Sequence, residues 1–545
     1  MKASLIKVRD LNRNLCGLFI LLFSSSILAQ VSCPCNNIES SCLCMQPDTL
    51  FLTDVKTHGA PVKAVDWLCR GTSDTYAAIG GVQSSIDNRT LRIYHLVNNQ
   101  LMLIPNIPVF PEDPGATVLS VDWCTIESQG IYLAVAGVPN TVDNGGLPPD
   151  NADVRIYKFD PDGSSLDLVA SYTHGAEVRS IAWLCDDCNS TSNRYLAIGG
   201  QTSAIDNYQV RVLKFDPINE TITTVANAFH PEPVPPTPPL PIPVPVYSVD
   251  WSACAGRLPI LAVGGERSAT DNATIRLFTF NCSTMQLQEL THMGGTGARI
   301  DAVKMCCDSK GNLYLVAGGL HVGADPTQPN IFYYQLNRNT CMLNLLSTAN
   351  APGEVFALDF VPSCDCTHFA VGLGCQEETE PNIIVYEKTS SPTLSQVTSV
   401  RFDENITSVK WCKIGDCTYL LVGSEVLGFG LPCVPSSEDE IGLFKGVFCL
   451  EPPPAPPVIC CVEKQCVRFP TQANLVDTFC WNSVAGAVRY EIYCDSDLKT
   501  LLATVLSGQQ LCFCKYGVCP TPSTYYLVAI DAAGNKSSVV KVVVS

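Results

Sequence analysis

Four Asp-Asn pairs recur along the chain, and oxygen ligands of this kind could bind calcium. The pairs are Asp87-Asn88, Asp143-Asn144, Asp206-Asn207 and Asp271-Asn272. Each pair precedes a predicted strand in a different repeat, whereas the ligands of one ion must converge. Asp and Asn also favour turns, because their side chains bond to their own backbone. We therefore predict that Asp87, Asp206 and Asp271 shape turns, and we expect no metal site there.

Cysteine is the second residue type that could carry chemistry, since the chain has 29 of them. Our disulfide candidates are Cys33, Cys35, Cys42, Cys44, Cys185, Cys188, Cys412 and Cys417. The first four could form a disulfide knot or a zinc site with four thiolates. The pairs 185/188 and 412/417 are close enough in sequence to bond locally. An oxidising compartment favours disulfides over zinc.

The N-terminus resembles a signal peptide. Basic residues between Lys2 and Arg13 precede a mostly apolar run at 15–28, and Ala29 offers a small residue for cleavage before Gln30. An uncleaved anchor is the alternative, although a spanning helix needs about 20 apolar residues. We predict a secreted, periplasmic or cell-surface protein whose mature chain has no transmembrane segment.

Composition and motifs narrow the function. A net charge of −18 repels phosphate backbones, so we expect no nucleic-acid partner. The sequence has no HExxH pair, no Gly-x-Ser-x-Gly elbow and no Gly-Lys phosphate loop. We therefore predict no catalytic residues and no cofactor.

A six-residue motif recurs seven times, and its last residue is usually Trp. It begins with a β-branched residue and has an apolar residue in fourth place. The copies end at Trp67, Trp123, Trp183, Trp251, Met305, Phe360 and Trp411. Each is followed by a run that ends in small residues and by further alternating runs. Four short strands per repeat are typical of a propeller blade.

The seventh repeat lacks a clear fourth strand, and the stretch near residues 49–57 matches the fourth strands of other repeats. We predict that this stretch completes the seventh blade and closes the ring. A β-solenoid or a sandwich array is the alternative. The fold class is thus all-β: a seven-bladed β-propeller followed by a small β-sandwich.

The stretch from Thr173 to Trp183, with Asp206 downstream, is similar to WD40 repeats. It shows the family's pattern of His, then Trp, then an Asp turn before a strand. The histidines that precede a motif are His58, His174, His230 and His292. The resemblance covers residues 48–450, and it implies that these His, Trp and Asp residues serve the repeat structure. The family's Trp-Asp dipeptide at the end of the third strand is missing.

The remaining boundaries follow from composition. We predict a signal peptide at 1–29, a cysteine-rich segment at 30–47, the propeller at 48–450 and a stiff proline-rich linker at 451–457. Residues 458–545 resemble a fibronectin type III domain, with Trp481 early and Tyr490 in the middle.

These features favour an exported, non-enzymatic scaffold that binds a protein or glycan partner. Propeller rims present many loops on a rigid ring, which suits binding. One alternative is a propeller hydrolase or lyase that acts on an extracellular polymer. Another is a structural component of the envelope or matrix.

Overall fold

The computed structural model describes residues 48–544 with gaps, and the described residues form 35 strands and no helix. The gaps are 71–73, 106–115, 127–128, 139–151, 185–193, 231–244, 253, 255–256, 269–270, 295–298, 322–324, 363, 375–379, 403–404, 416, 426–439, 447, 449–456, 458, 469–472, 485, 508–510, 518–522 and 532–535. The predicted signal peptide and cysteine-rich segment therefore lie outside the described residues. In the described part, no helix is long and apolar enough to span a membrane.

Contacts divide the chain into two units, residues 1–449 and 450–545. In the first unit, the described strands form seven four-stranded antiparallel sheets, which we number as blades 1–7. Blades 1–3 are β2 (Val62–Cys69), β3 (Thr75–Gly81), β4 (Leu91–Val97), β5 (Gln100–Leu103); β6 (Thr117–Ile126), β7 (Gly130–Val138), β8 (Val154–Asp160), β9 (Ser165–Tyr172); β10 (Val178–Leu184), β11 (Arg194–Gly200), β12 (Val210–Asp216), β13 (Thr221–Ala228).

The other four blades have the same order from the innermost strand outwards. They are β14 (Val246–Ser252), β15 (Ile260–Gly265), β16 (Ala273–Asn281), β17 (Gln286–Gly294); β18 (Ile300–Cys307), β19 (Leu313–Gly319), β20 (Ile331–Asn337), β21 (Met342–Ala349); β22 (Val355–Phe360), β23 (His368–Leu373), β24 (Ile383–Glu387), β25 (Ser395–Val400); β26 (Asn405–Ile414), β27 (Cys417–Glu425), β28 (Ile441–Gly446), β1 (Leu50–Lys56).

Seven apolar clusters hold the blades together, one between each neighbouring pair. The residue that ends each motif, aromatic in six blades and Met305 in blade 5, packs against the preceding blade. Trp123, for example, lies in the cluster between blades 1 and 2, and Trp67 lies in the cluster between blades 7 and 1. The five motif tryptophans are all at most 8% exposed. Each blade thus buries its apolar faces on two neighbours, which only a closed ring allows.

Two connections close the ring. Strand β1 pairs with β28 from Leu50↔Gly446 to Lys56↔Ile441, so the N-terminal strand is the outer strand of blade 7. A disulfide joins Cys69 of blade 1 to Cys412 of blade 7. The expected all-β fold, a propeller followed by a small sandwich, is confirmed.

Residues 450–545 form two sheets. One has the order β29 (Ile459–Arg468), β30 (Ala473–Trp481), β33 (Cys512–Gly517), and the other has the order β32 (Leu501–Leu506), β31 (Ala487–Tyr493), β34 (Ser523–Asp531), β35 (Val540–Val544). Aromatic residues of both sheets share one core, in which Trp481 and Tyr490 have ring centroids 5.5 Å apart. A disulfide joins Cys480 to Cys512 within the first sheet.

Candidate binding site

The innermost strands surround a central channel, and a β-bulge occurs at the same place in all seven. In every blade the register with the second strand shifts between the first and third motif residues, for example between Val62 and Ala64. A β-bulge can change the direction in which a side chain points, and bulges are common next to active sites. Here the second motif residue of each blade lines the channel, near the end where the strand begins.

These seven bulge residues, which we call the mouth ring, are all different. They are Lys63, Leu119, Arg179, Tyr247, Asp301, Phe356 and Thr407. The neighbouring motif positions repeat small, β-branched or aromatic residues from blade to blade. Residues needed only for blade packing would repeat in the same way. The mouth ring therefore varies where the first, third, fourth and sixth motif positions do not, so blade packing does not dictate its residues.

An aromatic side chain lies between two cations on one side of the mouth. The Arg179 guanidinium is 4.6 Å from the centre of the Tyr247 ring, and that of Arg299 is 5.0 Å from it. Arg179 also pairs with Glu177 at 3.1 Å between Nε and Oε1. Arg and Tyr are the residue types that most often dominate binding energy at protein interfaces.

Acidic groups balance these cations. Arg299 Nε lies 2.6 Å from Asp301 Oδ1, and Arg299 also contacts Glu354. Burial raises the pKa of Asp301, and the positive charge of Arg299 opposes that rise. Across the mouth, Lys63 pairs with Glu425 of blade 7. The mouth therefore carries both positive and negative charges, most of them in ion pairs.

The fifth motif residues form a second, charged layer, which we call the inner ring. Its members are Asp66, Asp122, Ala182, Asp250, Lys304, Asp359 and Lys410. Lys410 Nζ lies 3.0 Å from Asp66 Oδ1, and Lys304 Nζ lies 2.7 Å from Asp250 Oδ1. Although burial opposes it, the surrounding carboxylates, Asp66 first, raise the pKa of Lys410 well above its usual value. Burial and the charge of Asp66 raise the pKa of Asp122.

The inner-ring aspartates also join neighbouring blades. The backbone N–H of Trp123 donates to Asp66 Oδ2 at 2.7 Å, and that of Trp183 donates to Asp122 Oδ2 at 2.5 Å. Equivalent bonds join Met305 to Asp250 and Trp411 to Asp359, both at 2.7 Å. Each carboxylate thus satisfies a backbone donor of the next blade. These aspartates therefore have a structural role. An aspartate that acted as a catalytic acid or base would lose this hydrogen bond to the next blade.

The channel itself is small. Its cavity has a volume of about 190 Å³, whereas small-molecule pockets usually measure about 300–1,000 Å³. It has room for a few waters or one inserted side chain. Recognition is therefore expected at the mouth rather than deep in the channel.

The end of the ring at the mouth, the histidine rim, carries repeated buried networks. In blade 1, His58 Nε2 donates to the carbonyl oxygen of Val82 at 3.0 Å, and its Nδ1 accepts from Arg92. Arg92 Nη2 in turn bonds to Asp87 Oδ1 at 2.6 Å. Burial, together with the charge of Arg92, lowers the pKa of His58 to about 4. The imidazole is therefore neutral at physiological pH and serves as a structural link.

Blade 3 repeats this network, and blade 4 repeats it without the hydrogen bond from arginine to histidine, since His230 Nδ1 has no partner among the described residues. In blade 3, Arg211 Nε donates to His174 Nδ1 at 2.9 Å and pairs with Asp206. In blade 4, Arg276 pairs with Asp271, and burial with the charge of Arg276 lowers the pKa of the fully buried His230 to about 4. The structure thus brings His58, His174 and His230 close to the turn aspartates Asp87, Asp206 and Asp271, with one arginine beside each pair.

His292 lies outside the buried part of these networks, and its role as a repeat-structure residue stays a prediction. Its ring lies on the outer strand β17, is 46% exposed and pairs with Glu289 at 2.8 Å. Glu289 also pairs with Arg276 at 2.9 Å, so His292 contacts the blade 4 cluster from its exposed side.

The three described Asp-Asn pairs form turns at the histidine rim. Asn88, Asn207 and Asn272 have φ of 60°, 68° and 59°, the left-handed conformation that asparagine tolerates. The Arg89 N–H donates to Asp87 Oδ1 at 3.2 Å, and the Ala273 N–H donates to Asp271 Oδ1 at 3.0 Å. The three described pairs lie in separate blades, and Asp143 lies outside the described residues. Among the residues described, no group of three or more His, Cys, Asp or Glu side chains could hold a metal ion.

The opposite end, the cysteine rim, carries disulfides between blades. Cys412 bonds to Cys69, so it does not form the expected local pair with Cys417. Cys254 bonds to Cys307 between blades 4 and 5, and Cys306 to Cys366 between blades 5 and 6. Because the first strands of adjacent blades run side by side, residues at their ends lie close to the next blade, and the Cα atoms of Cys69 and Cys412 are 6.0 Å apart. The other candidates, Cys33, Cys35, Cys42, Cys44, Cys185 and Cys188, lie outside the described residues, as does Ala29.

No family model matches the chain, and no curated protein matches it. Its structure is similar to that of U3-55K, with a TM-score of 0.47, 12% identity, and coverage of 73% of this chain and 98% of the other. It is similar to Saccharomyces cerevisiae Sqt1, with a TM-score of 0.43, 11% identity, and coverage of 78% and 95%. For the Dos1 propeller the values are 0.40, 13%, 75% and 96%. Similarity at this level carries no inference about partners, so the function has to be inferred from this chain's own residues.

Proposed function

We propose that this protein is an exported, non-enzymatic scaffold that binds a protein partner through the mouth ring on its histidine rim. The observation that carries the proposal is the divergence of the seven bulge residues within an otherwise repeated frame. The pair of arginines beside Tyr247 supports it, because such a cluster combines a rigid aromatic anchor with two guanidinium groups.

The channel charges support a binding role over catalysis. The inner-ring aspartates accept backbone N–H bonds from the next blade, and the two inner-ring lysines pair with them. Groups held in this way stabilise the ring. The side chains that remain for binding a partner therefore lie at the mouth of the channel, where the residues differ from blade to blade.

Export is supported by the bonded cysteines of the cysteine rim. Three disulfides join neighbouring blades through cysteines that are 53, 60 and 343 residues apart in the sequence. Such bonds persist in oxidising compartments and are rare in the cytosol. The signal-like N-terminus agrees with this.

We further propose that the second unit is a fibronectin type III-like spacer. Its seven strands divide into sheets of three and four, and its aromatic core includes Phe479, Trp481 and Tyr490. Removing residues 458–545 is expected to leave the melting temperature of the propeller unchanged.

Affinity capture tests the binding role. The mature protein, immobilised and exposed to the extracellular or periplasmic proteins of its source, is expected to retain a partner. The same partner should bind Tyr247→Ala at least about tenfold more weakly, as loss of an aromatic hot spot implies. The matched control is Lys413→Ala on the cysteine rim, which is expected to bind normally. Equal retention by Tyr247→Ala would place the interface elsewhere, and turnover of a polymer without any retained protein would favour the enzyme alternative.

A further inference from the structure

A second cavity lies on the cysteine rim, on the side of the ring away from the mouth. Loops of blades 4 and 5 form it, and its volume is about 320 Å³. That is within the range of about 300–1,000 Å³ usual for small-ligand pockets. The Cys254–Cys307 disulfide joins these two blades beside it, so the lining loops are held in place before any ligand arrives.

Three cations line this cavity: Arg257, Lys310 and Arg338. None of them forms an ion pair with a carboxylate of the described residues. Other half-buried or buried arginines of the ring do, for example Arg211 with Asp206 and Arg276 with Asp271. The chain has 52 acidic and only 34 basic residues, so an uncompensated cluster of three cations is unexpected on grounds of composition.

The arginines are close enough to repel each other. Burial, together with the charge of Arg257, lowers the pKa of Arg338. Arg338 Nη2 donates to Cys254 Sγ at 3.0 Å, but its buried Nε has no hydrogen-bond partner. A buried donor without an acceptor is costly, and a bound anion would satisfy it and relieve the repulsion.

The nearest carboxylate of the same loop is already engaged. Asp308 accepts hydrogen bonds from the Lys310 N–H at 3.0 Å, the Asn312 N–H at 2.7 Å and Asn312 Nδ2 at 2.8 Å. It shapes the loop and makes no contact with the guanidinium groups. Asp308 therefore forms no ion pair with the three cations that line the cavity.

Amide side chains complete the lining. Gln335, Asn339 and Asn344 surround the cations, and their side-chain amides make no hydrogen bond with other described residues. An amide both donates and accepts, which matches the hydroxyl groups of a sugar. An arginine pair matches a carboxylate or sulfate group.

We propose that this cavity binds an acidic saccharide, a sugar unit that carries a carboxylate or a sulfate ester. The guanidinium groups of Arg257 and Arg338 bind the anionic group, and the amides bind the neighbouring hydroxyls. This site is independent of the mouth ring, so it gives the scaffold a second ligand on the opposite rim.

Calorimetric titration of the full mature chain tests this proposal. The probes are a sulfated disaccharide, a uronate-containing disaccharide, their neutral counterpart and sodium sulfate, at one fixed ionic strength. At least one acidic disaccharide is expected to bind about tenfold or more tightly than the neutral one, as charge-assisted hydrogen bonds imply. Sodium sulfate is expected to bind more weakly than the acidic disaccharide. If sulfate binds equally well, the amides contribute nothing and the saccharide assignment is overturned.

Variants locate the binding. Arg338→Gln and Arg257→Gln should each weaken binding about tenfold, whereas Lys413→Gln, on the same rim in blade 7, should not. Lys310→Gln removes an exposed cation and keeps the test valid if an arginine variant fails to fold. Equal weakening by Lys413→Gln would show general attraction to the surface, and full binding by all three cavity variants would place the ligand elsewhere. Either result overturns the proposal.

Discussion

Deletion of β1 is expected to open the ring and to lower its melting temperature by roughly 10 °C or more. The strand supplies the outer edge of blade 7, where Leu50 is buried against Phe444 and Phe448. It also joins blade 7 to blade 1, because Asp54 Oδ2 accepts the Leu101 N–H at 2.7 Å. Without β1, the buried strand β28 becomes an exposed edge, and such edges promote aggregation.

Two further variants separate the effect of β1 from that of the segment before it. A chain that begins at residue 48 keeps β1 and loses only the segment before it, so it should melt close to the full mature protein. Leu50→Asp keeps the length of the chain but places a charge in the cluster, so it should be destabilised like the deletion. A β1 deletion that melts normally as a monomer would show that the ring closes without this strand.

Lys410→Met is expected to lower the free energy of unfolding by about 3 kcal/mol at neutral pH, because it leaves partly buried carboxylates without their cation. Lys410 pairs with Asp66 and contributes to the charge balance of Asp122 and Asp359. Met has a similar length, so the loss is mainly of charge. Lys413→Met, three residues away and exposed, is the matched control and is expected to change little.

The deficit of Lys410→Met should depend on pH. Burial raises the pKa values of Asp122 and Asp359 above 3.8 in the folded ring, and Lys410 lowers both. Without Lys410 these pKa values rise further, so the variant loses more stability than the wild type as pH increases through the raised values. Urea unfolding at about pH 5 and about pH 8 should show the larger deficit at the higher pH. A deficit that is equal at both would contradict the charge account.

The architecture could be predicted from the sequence because blade packing is repeated. The motif tryptophans and the small residues at the ends of second strands occur once per blade. At Gly80, for example, a Cβ would lie 2.2 Å from Val118 of the next blade, so only glycine fits. The edge strand β1 could also be predicted, since it resembles the outer strands of other blades.

Other features could not be read from periodicity. The bulge at the second motif residue depends on pairing between strands, and the pattern alone does not reveal it. The role of Asp66 depends on a donor 57 residues away in the next blade. One signal for the inner ring was present in the sequence. An aspartate directly precedes the final aromatic residue of the motif in four of the seven copies.

The cysteine pairs show the same limit. Cys412 and Cys417 are close in sequence, but the closed ring places Cys412 beside Cys69, 343 residues away. The cavity cations Arg257 and Arg338 come from different blades, and their convergence likewise requires the ring. Closeness in sequence is therefore a poor guide to contacts that cross from one blade to the next.

Peptide mapping of the protein without reduction tests the closed, disulfide-linked ring most directly. Protease digestion followed by mass spectrometry is expected to yield a disulfide-linked peptide pair that contains Cys69 and Cys412. Such a pair requires blade 7 to lie beside blade 1 in an oxidising compartment. A Cys412–Cys417 link, or both Cys69 and Cys412 as free thiols, would contradict the account.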